Sequence, residues 1–174
     1  MTTHRGKYLI SLAVYCFTLG MTLFSHVATF SLISFVPLLF VLILFSFFPL
    51  LLECKQSSLG QKKSTIYPLG QVLRSIPTGI KILVVLSILY TLVNTGTQFM
   101  LLPDGSLELV DGVPFICDHA AGAYREITWE TYMTLLKAQN RLFMGLPLVF
   151  AALPFGYYSG VQKLEWSKNE TSFP

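Results

Sequence analysis

Cys117, Asp118 and His119 stand side by side in the chain, and a thiol, a carboxylate and an imidazole are the side chains from which metal sites and activated nucleophiles are made. A metal needs three or four converging ligands, and a nucleophile needs a positioned base. Neighbours in sequence point in different directions, and the surrounding segment offers no second His or Cys. These three therefore read as loop residues, and no metal is expected. His26, at the end of an apolar run, reads as an interfacial residue. A second set is Thr91, Asn94, Thr95 and Gln98, with Asn94 and Gln98 one helical turn apart. Such a polar stripe in an apolar helix could hold a substrate or ion. It could equally make hydrogen bonds between helices, worth about 0.6 kcal/mol each. The second reading is preferred, because no charged residue is expected inside a span, where ion-coupled transporters usually place one. A third set is Trp129, Tyr132, Met133 and Leu136, which share one helical face and could bury against a partner protein.

The elements that must position these residues are membrane helices. The chain has 174 residues, of which 53% are hydrophobic and 12% charged; a soluble domain carries about 25% charged residues. The charges also cluster, leaving long stretches with none, as in a chain that crosses a bilayer. Tyr8 to Val27 is the first apolar run. It follows Arg5 and Lys7, as a signal peptide would, but it exceeds the usual ~7–15-residue apolar core and no A-x-A site follows, so a retained helix is expected. Phe30 to Leu52 is the strongest signal, with eighteen of 23 residues Leu, Ile, Val or Phe. Pro37 and Pro49 should kink this helix or mark its ends. Ile80 to Leu102 and Leu142 to Val161 are the third and fourth runs. Ala152, Gly156 and Gly160, spaced by four, allow close helix packing, whether within the chain or against another. The loop 53–79 holds Leu69, Val72, Leu73 and Ile76 at one-face spacing, so a short surface helix competes there with a plain loop.

Four spans put nine of the twelve basic residues on the side of the two termini, and Arg125, Lys137 and Arg141 on the other with six acids. The positive-inside rule then places both termini in the cytoplasm. The Asn169-Glu170-Thr171 sequon would lie on that same side and is disregarded.

Residues 103–141 form an extracytoplasmic cap between 1–102, which holds the first three helices, and 142–174, which holds the fourth and the tail. Asp-Gly pairs at 104–105 and 111–112 predict hairpin turns. The expected strands are Phe99–Leu102, Leu107–Val110 and Val113–Ile116, with Tyr124–Ile127 as a further one. From Thr128, a good N-cap followed by Glu130 in the first turn, an amphipathic helix should run to the last span and bend near Gly145 and Pro147. The fold class is thus a membrane all-α, four-helix transmembrane protein with a small extracytoplasmic β-meander and an amphipathic helix.

The stretch from Arg125 to Gly145, with R-E-I-T, a Tyr and an Arg before the last span, resembles a pattern in small uncharacterised bacterial four-span inner-membrane proteins. That group has no established activity, so the resemblance implies none.

A net charge of +3 is too small for a nucleic-acid partner. No nucleotide loop, metal spacing or catalytic set is present, so no cofactor and no enzyme activity are expected. The partners expected are the lipid bilayer and another membrane or extracytoplasmic protein, or a second copy. The preferred function is contact, as an accessory subunit of a membrane complex or an immunity-type protein. The alternative is a small channel or transporter built by oligomerisation around the third helix.

Overall fold

The computed structural model describes residues 4–58, 67–101, 105–118 and 122–170. Helix α1 runs His4–Phe24. A 3-10 turn at Ile33–Phe35 leads into α2, Val36–Ser58. The short α3 is Leu69–Ser75 and α4 is Thr78–Leu101. Three strands follow, β1 Gly105–Val110, β2 Val113–Asp118 and β3 Ala123–Glu126, and α5 closes the chain at Trp129–Glu170. Helices α1, α2, α4 and α5 are long and apolar enough to cross a membrane, which suggests a multi-pass membrane protein.

The fold is built around α5. Two thirds (67%) of its apolar window is buried, against 17–22% for the other three helices, so α1, α2 and α4 pack around it. The outer helices are patterned inside-out. On α1 the buried residues are Ser11, Tyr15, Thr18 and Thr22, and on α4 they are Ser87, Thr91, Asn94 and Gln98. Both sets step by three and four, one face of a helix. The Leu, Val and Phe side chains of the same helices face outward, among them Leu23, Phe17, Leu92 and Val93. This inverted pattern suits a lipid surround better than water. In lipid, tails are as apolar as Leu, so close packing and hydrogen bonds join helices instead.

Those hydrogen bonds are present. Tyr15 stacks on Phe155 with ring centroids 5.0 Å apart, and its hydroxyl lies 3.2 Å from Ser87 Oγ. Pro147 has no N–H, so the Phe143 carbonyl has no helical donor. The next two carbonyls accept side-chain hydroxyls: Met144 from Thr22 at 3.1 Å and Gly145 from Thr91 at 2.8 Å. These two hydroxyls tie α1 and α4 to α5 just before its first proline.

The link between α1 and α2 is held by one side chain of α5. Asn140 is fully buried. Its Oδ1 accepts from the Leu32 N–H and its Nδ2 donates to the Phe30 carbonyl, both at 2.9 Å.

Residues 69–75 are a helix docked on α5, not a plain loop. Val72 is completely buried, and Ser75 Oγ donates to the Gly160 carbonyl at 2.9 Å. A Cβ at Gly160 would lie 2.6 Å from the Val72 carbonyl oxygen, so only glycine permits this approach. Gly156 similarly faces Val84 of α4 at 3.2 Å. The small-residue ladder therefore serves packing within the chain.

The sheet is an antiparallel meander in the order β1-β2-β3, with Leu107 opposite Ile116 and Cys117 opposite Tyr124. Asp111 and Gly112 both have positive φ, at 50° and 81°, the pairing a two-residue type I′ hairpin turn requires. The expected strand at Phe99–Leu102 is not formed. Residues 99–101 complete α4, which runs on through Gly96 to Leu101, and the first strand starts at Gly105. Asp104, the other half of the first Asp-Gly turn, lies outside the described residues.

The amphipathic helix does lead into the last span. They are one unbroken helix of 42 residues, carrying Pro147 and Pro154 inside it. Good helix formers continue from Leu135 to Met144, so nothing in the sequence stops the helix at the expected boundary. Helix α2, too, starts later than its apolar run, beside Pro37, and continues past Leu52 to Ser58. Proline near a helix start is compatible with the missing N–H there.

Candidate functional site

The cap rises from the bundle on two supports. One is the C-terminus of α4, from which β1 follows at Gly105. The other is the first part of α5. Residues 142–162 of α5 carry no charge, a length of roughly 30 Å at 1.5 Å per residue, which matches a bilayer core. The twelve residue steps before it, from Trp129 to Arg141, add roughly 18 Å more. β1 climbs beside this extension and turns at Asp111-Gly112. Ile127 N–H donates to the Pro114 carbonyl at 3.0 Å, tying the start of α5 to the turn end of β2. Thr128 caps α5, its Oγ1 accepting from the Thr131 N–H at 3.2 Å.

The tip so formed is open and apolar. Val110, Val113 and Leu109 are 44%, 37% and 50% exposed, and Trp129 is 50% exposed. A recess of about 630 Å³ runs between the hairpin turn and the first turn of α5. Val113, Pro114 and Trp129 supply its apolar part, and Arg125 and Glu126 add both charge signs.

Of the four residues read from sequence as a partner face, the structure separates two from the others. Tyr132 and Leu136 are buried within the chain, at 8% and 3% exposed. Met133 is half-buried. Trp129 packs edge-on against Tyr132, with ring centroids 5.6 Å apart, and leaves its outer side free. Val113 and Pro114 were not singled out in the sequence. The Asp-Gly turn could have pointed to them, since such a turn fixes its flanking residues at the end of a hairpin.

The intramembrane polar set faces inward. Thr91 donates to the Gly145 and Ser87 carbonyls, and Asn94 Nδ2 donates to the Tyr90 carbonyl at 2.7 Å. Gln98 is buried and its Oε1 has no partner among the described residues. Thr95 is half-buried. At the same level, His26 Nε2 lies 2.9 Å from the Tyr90 hydroxyl. Burial, and then the positive charge of Arg141, hold this imidazole below its ordinary pKa.

Cys117 is buried in β2, and His119 lies outside the described residues. Among the described residues, no group of three His, Cys, Asp or Glu side chains comes together as metal ligands would. On the sheet, Tyr124 has its phenol pKa raised, first by the Glu108 carboxylate and then by Cys117.

At the opposite end of the bundle is a pair that sequence reasoning missed. Lys7 Nζ of α1 donates to Glu53 Oε1 of α2. Glu53 is only 7% exposed. His4 lies 4.0 Å from Glu53 and 3.8 Å from Glu165 of α5, so three helices meet on these charges.

The fold thus defines a class: a four-helix bundle of membrane-spanning length around one long helix, bearing a sheet-and-helix cap. No family model matches the chain, and no curated protein or solved structure matches it.

Proposed function

We propose that this chain is a non-enzymatic, multi-pass protein of the bacterial inner membrane that works by protein contact through the tip of its cap. Both termini lie in the cytoplasm and the cap lies outside, following the distribution of basic residues. The observation that carries the reading is the position of the exposed apolar tip. Trp129 stands roughly 18 Å along α5 from its charge-free span, beyond the reach of the acyl chains, and Val113 lines the same recess. An apolar patch at that height is covered by protein or left in water, and aromatic anchors of this kind are favoured in protein interfaces. The recess beside them offers both charge signs, suited to orienting a polypeptide. An accessory subunit of a larger complex, or an immunity-type protein, would use such a tip.

The burial of Thr91, Asn94 and Gln98 weighs against the channel reading. A pore assembled from several copies around α4 needs those groups at its surface, and they face α5.

Site-specific photocrosslinking in native membranes tests the contact reading. A photoreactive residue at position 110 should give one discrete adduct. Trp129→Ala combined with Val113→Ser should lower its yield on the order of tenfold, with the variant still inserted and folded because both side chains lie at the partly exposed tip. Absence of any adduct from the cap, or an undiminished one in the double variant, removes the proposal.

A further inference from the structure

Helices α2 and α4 both pack on α5, and between them the bundle is open. The opening is a crevice of about 500 Å³, within the usual range of ~300–1,000 Å³ for ligand sites. Phe47 of α2 and Val85 of α4 form its walls, and Gly156 of α5 lies on its floor. Leu69 and Leu73 of α3 cover one end. Lys81 brings a charge into this lining.

We propose that this crevice holds an acyl chain of one anionic phospholipid, with the lipid phosphate against Lys81 and Arg74. The walls are apolar, so a water-soluble polar ligand would lose its hydration there without replacement. The crevice adjoins surfaces already shaped for lipid, with Phe48 and Leu86 pointing outward at 59% and 55% exposed. A gap between spanning helices is filled by whatever surrounds them, and here that is hydrocarbon. The charge at the mouth selects the headgroup. Lys81 Nζ donates to the Arg74 carbonyl at 3.3 Å, and an ammonium has three donors, leaving two for a phosphate. The Arg74 side chain is exposed beside it. Glu53, next in sequence to the lining residue Cys54, is paired with Lys7. The mouth is therefore net positive. α3 thereby gains a purpose beyond its docking on α5 through Val72 and Ser75: Leu69 and Leu73, each 51% exposed, roof the chain.

The test uses the full chain in nanodiscs of equal phosphatidylglycerol and phosphatidylcholine, released into a native mass spectrometer. One retained lipid is expected, enriched in phosphatidylglycerol by about fivefold for each basic contact. Lys81→Glu should abolish the enrichment while keeping a lipid bound. Leu73→Trp, which fills the crevice from an exposed position, should remove the retained lipid whatever its headgroup. Equal retention of the two lipids by the unmodified chain overturns the headgroup assignment. Undiminished retention in Leu73→Trp overturns the crevice. A dimer lost in Leu73→Trp would assign the crevice to a second copy and overturn it likewise.

Discussion

Asn140→Ala should destabilise the bundle by about 2–5 kcal/mol, as measured by unfolding in mixed micelles. The side chain is wholly buried and satisfies two backbone groups at once, the Leu32 N–H and the Phe30 carbonyl. Alanine leaves both without a partner, and an unsatisfied buried polar group costs about 1–3 kcal/mol. The loss falls on the link between α1 and α2, which Asn140 ties to α5, so these two helices should separate from α5 first. Asn140→Asp is the informative companion. It keeps an acceptor for Leu32 but has no donor for Phe30, and a carboxylate must be desolvated as well, so it should be no better than alanine. Gln139→Ala, one residue away and half-buried, should stay within about 0.5 kcal/mol of the parent. An Asn140→Ala protein as stable as the parent would mean that the inter-helix turn is held by something else.

The helices were legible in the sequence because length and lack of charge are properties of a run. Which way each helix faces was harder to read. In a run such as FVLILFSFF only Ser46, which is buried, departs from apolar, so little contrast marks the buried side. On α1 and α4 the contrast was available in inverted form, as hydroxyls and amides at three-four spacing, and the stripe on α4 was noticed for that reason. The inward-facing reading, as hydrogen bonds between helices, is the one preferred over a substrate or ion site. The boundaries failed for a physical reason too. A membrane helix does not end where lipid ends, since hydrogen bonding within it continues into water. That is why α5 runs unbroken from the cap through the core, and why α4 absorbs the residues expected to begin the sheet. The hairpin at Asp111-Gly112 was read correctly because its chemistry is local: only a few residue types adopt positive φ, and a glycine preceded by aspartate supplies them.

Asn140 and the pair Lys7–Glu53 were invisible for a different reason. Each depends on a contact between residues far apart in the chain. One signal did exist for Glu53. The buried residues of α2 include Leu39, Ile43, Ser46 and Leu50, stepping by four, three and four, and the next step is Glu53. Ending the helix at Leu52 hid it. An acid on the buried face of a membrane helix calls for a cation, and Lys7 is on the neighbouring helix at the same end.

The remaining large effect concerns this pair. Lys7→Met should destabilise the protein by about 2–4 kcal/mol, measured by the same unfolding assay. Breaking a buried pair typically costs about 3–5 kcal/mol; the lower figure applies because the Lys7 side chain is 21% exposed and water screens part of the interaction. Glu53 would then lose its lysine partner at a site only 7% exposed, with His4 4.0 Å away. Glu53→Leu alone should be comparably harmful, since it leaves an ammonium inside the bundle facing the Tyr158 ring, 6.0 Å from its centroid. The two changes together should cost less than either one. A pair replaced by apolar side chains of similar size removes its own desolvation penalty along with its attraction, and such replacements are often neutral. The double-mutant cycle therefore separates two roles. A coupling of a few kcal/mol, with a near-native double variant, means that the charges matter chiefly to each other. Additive losses would mean that each charge holds a different partner, with His4 and Glu165 bearing the load that joins α1 and α2 to the end of α5.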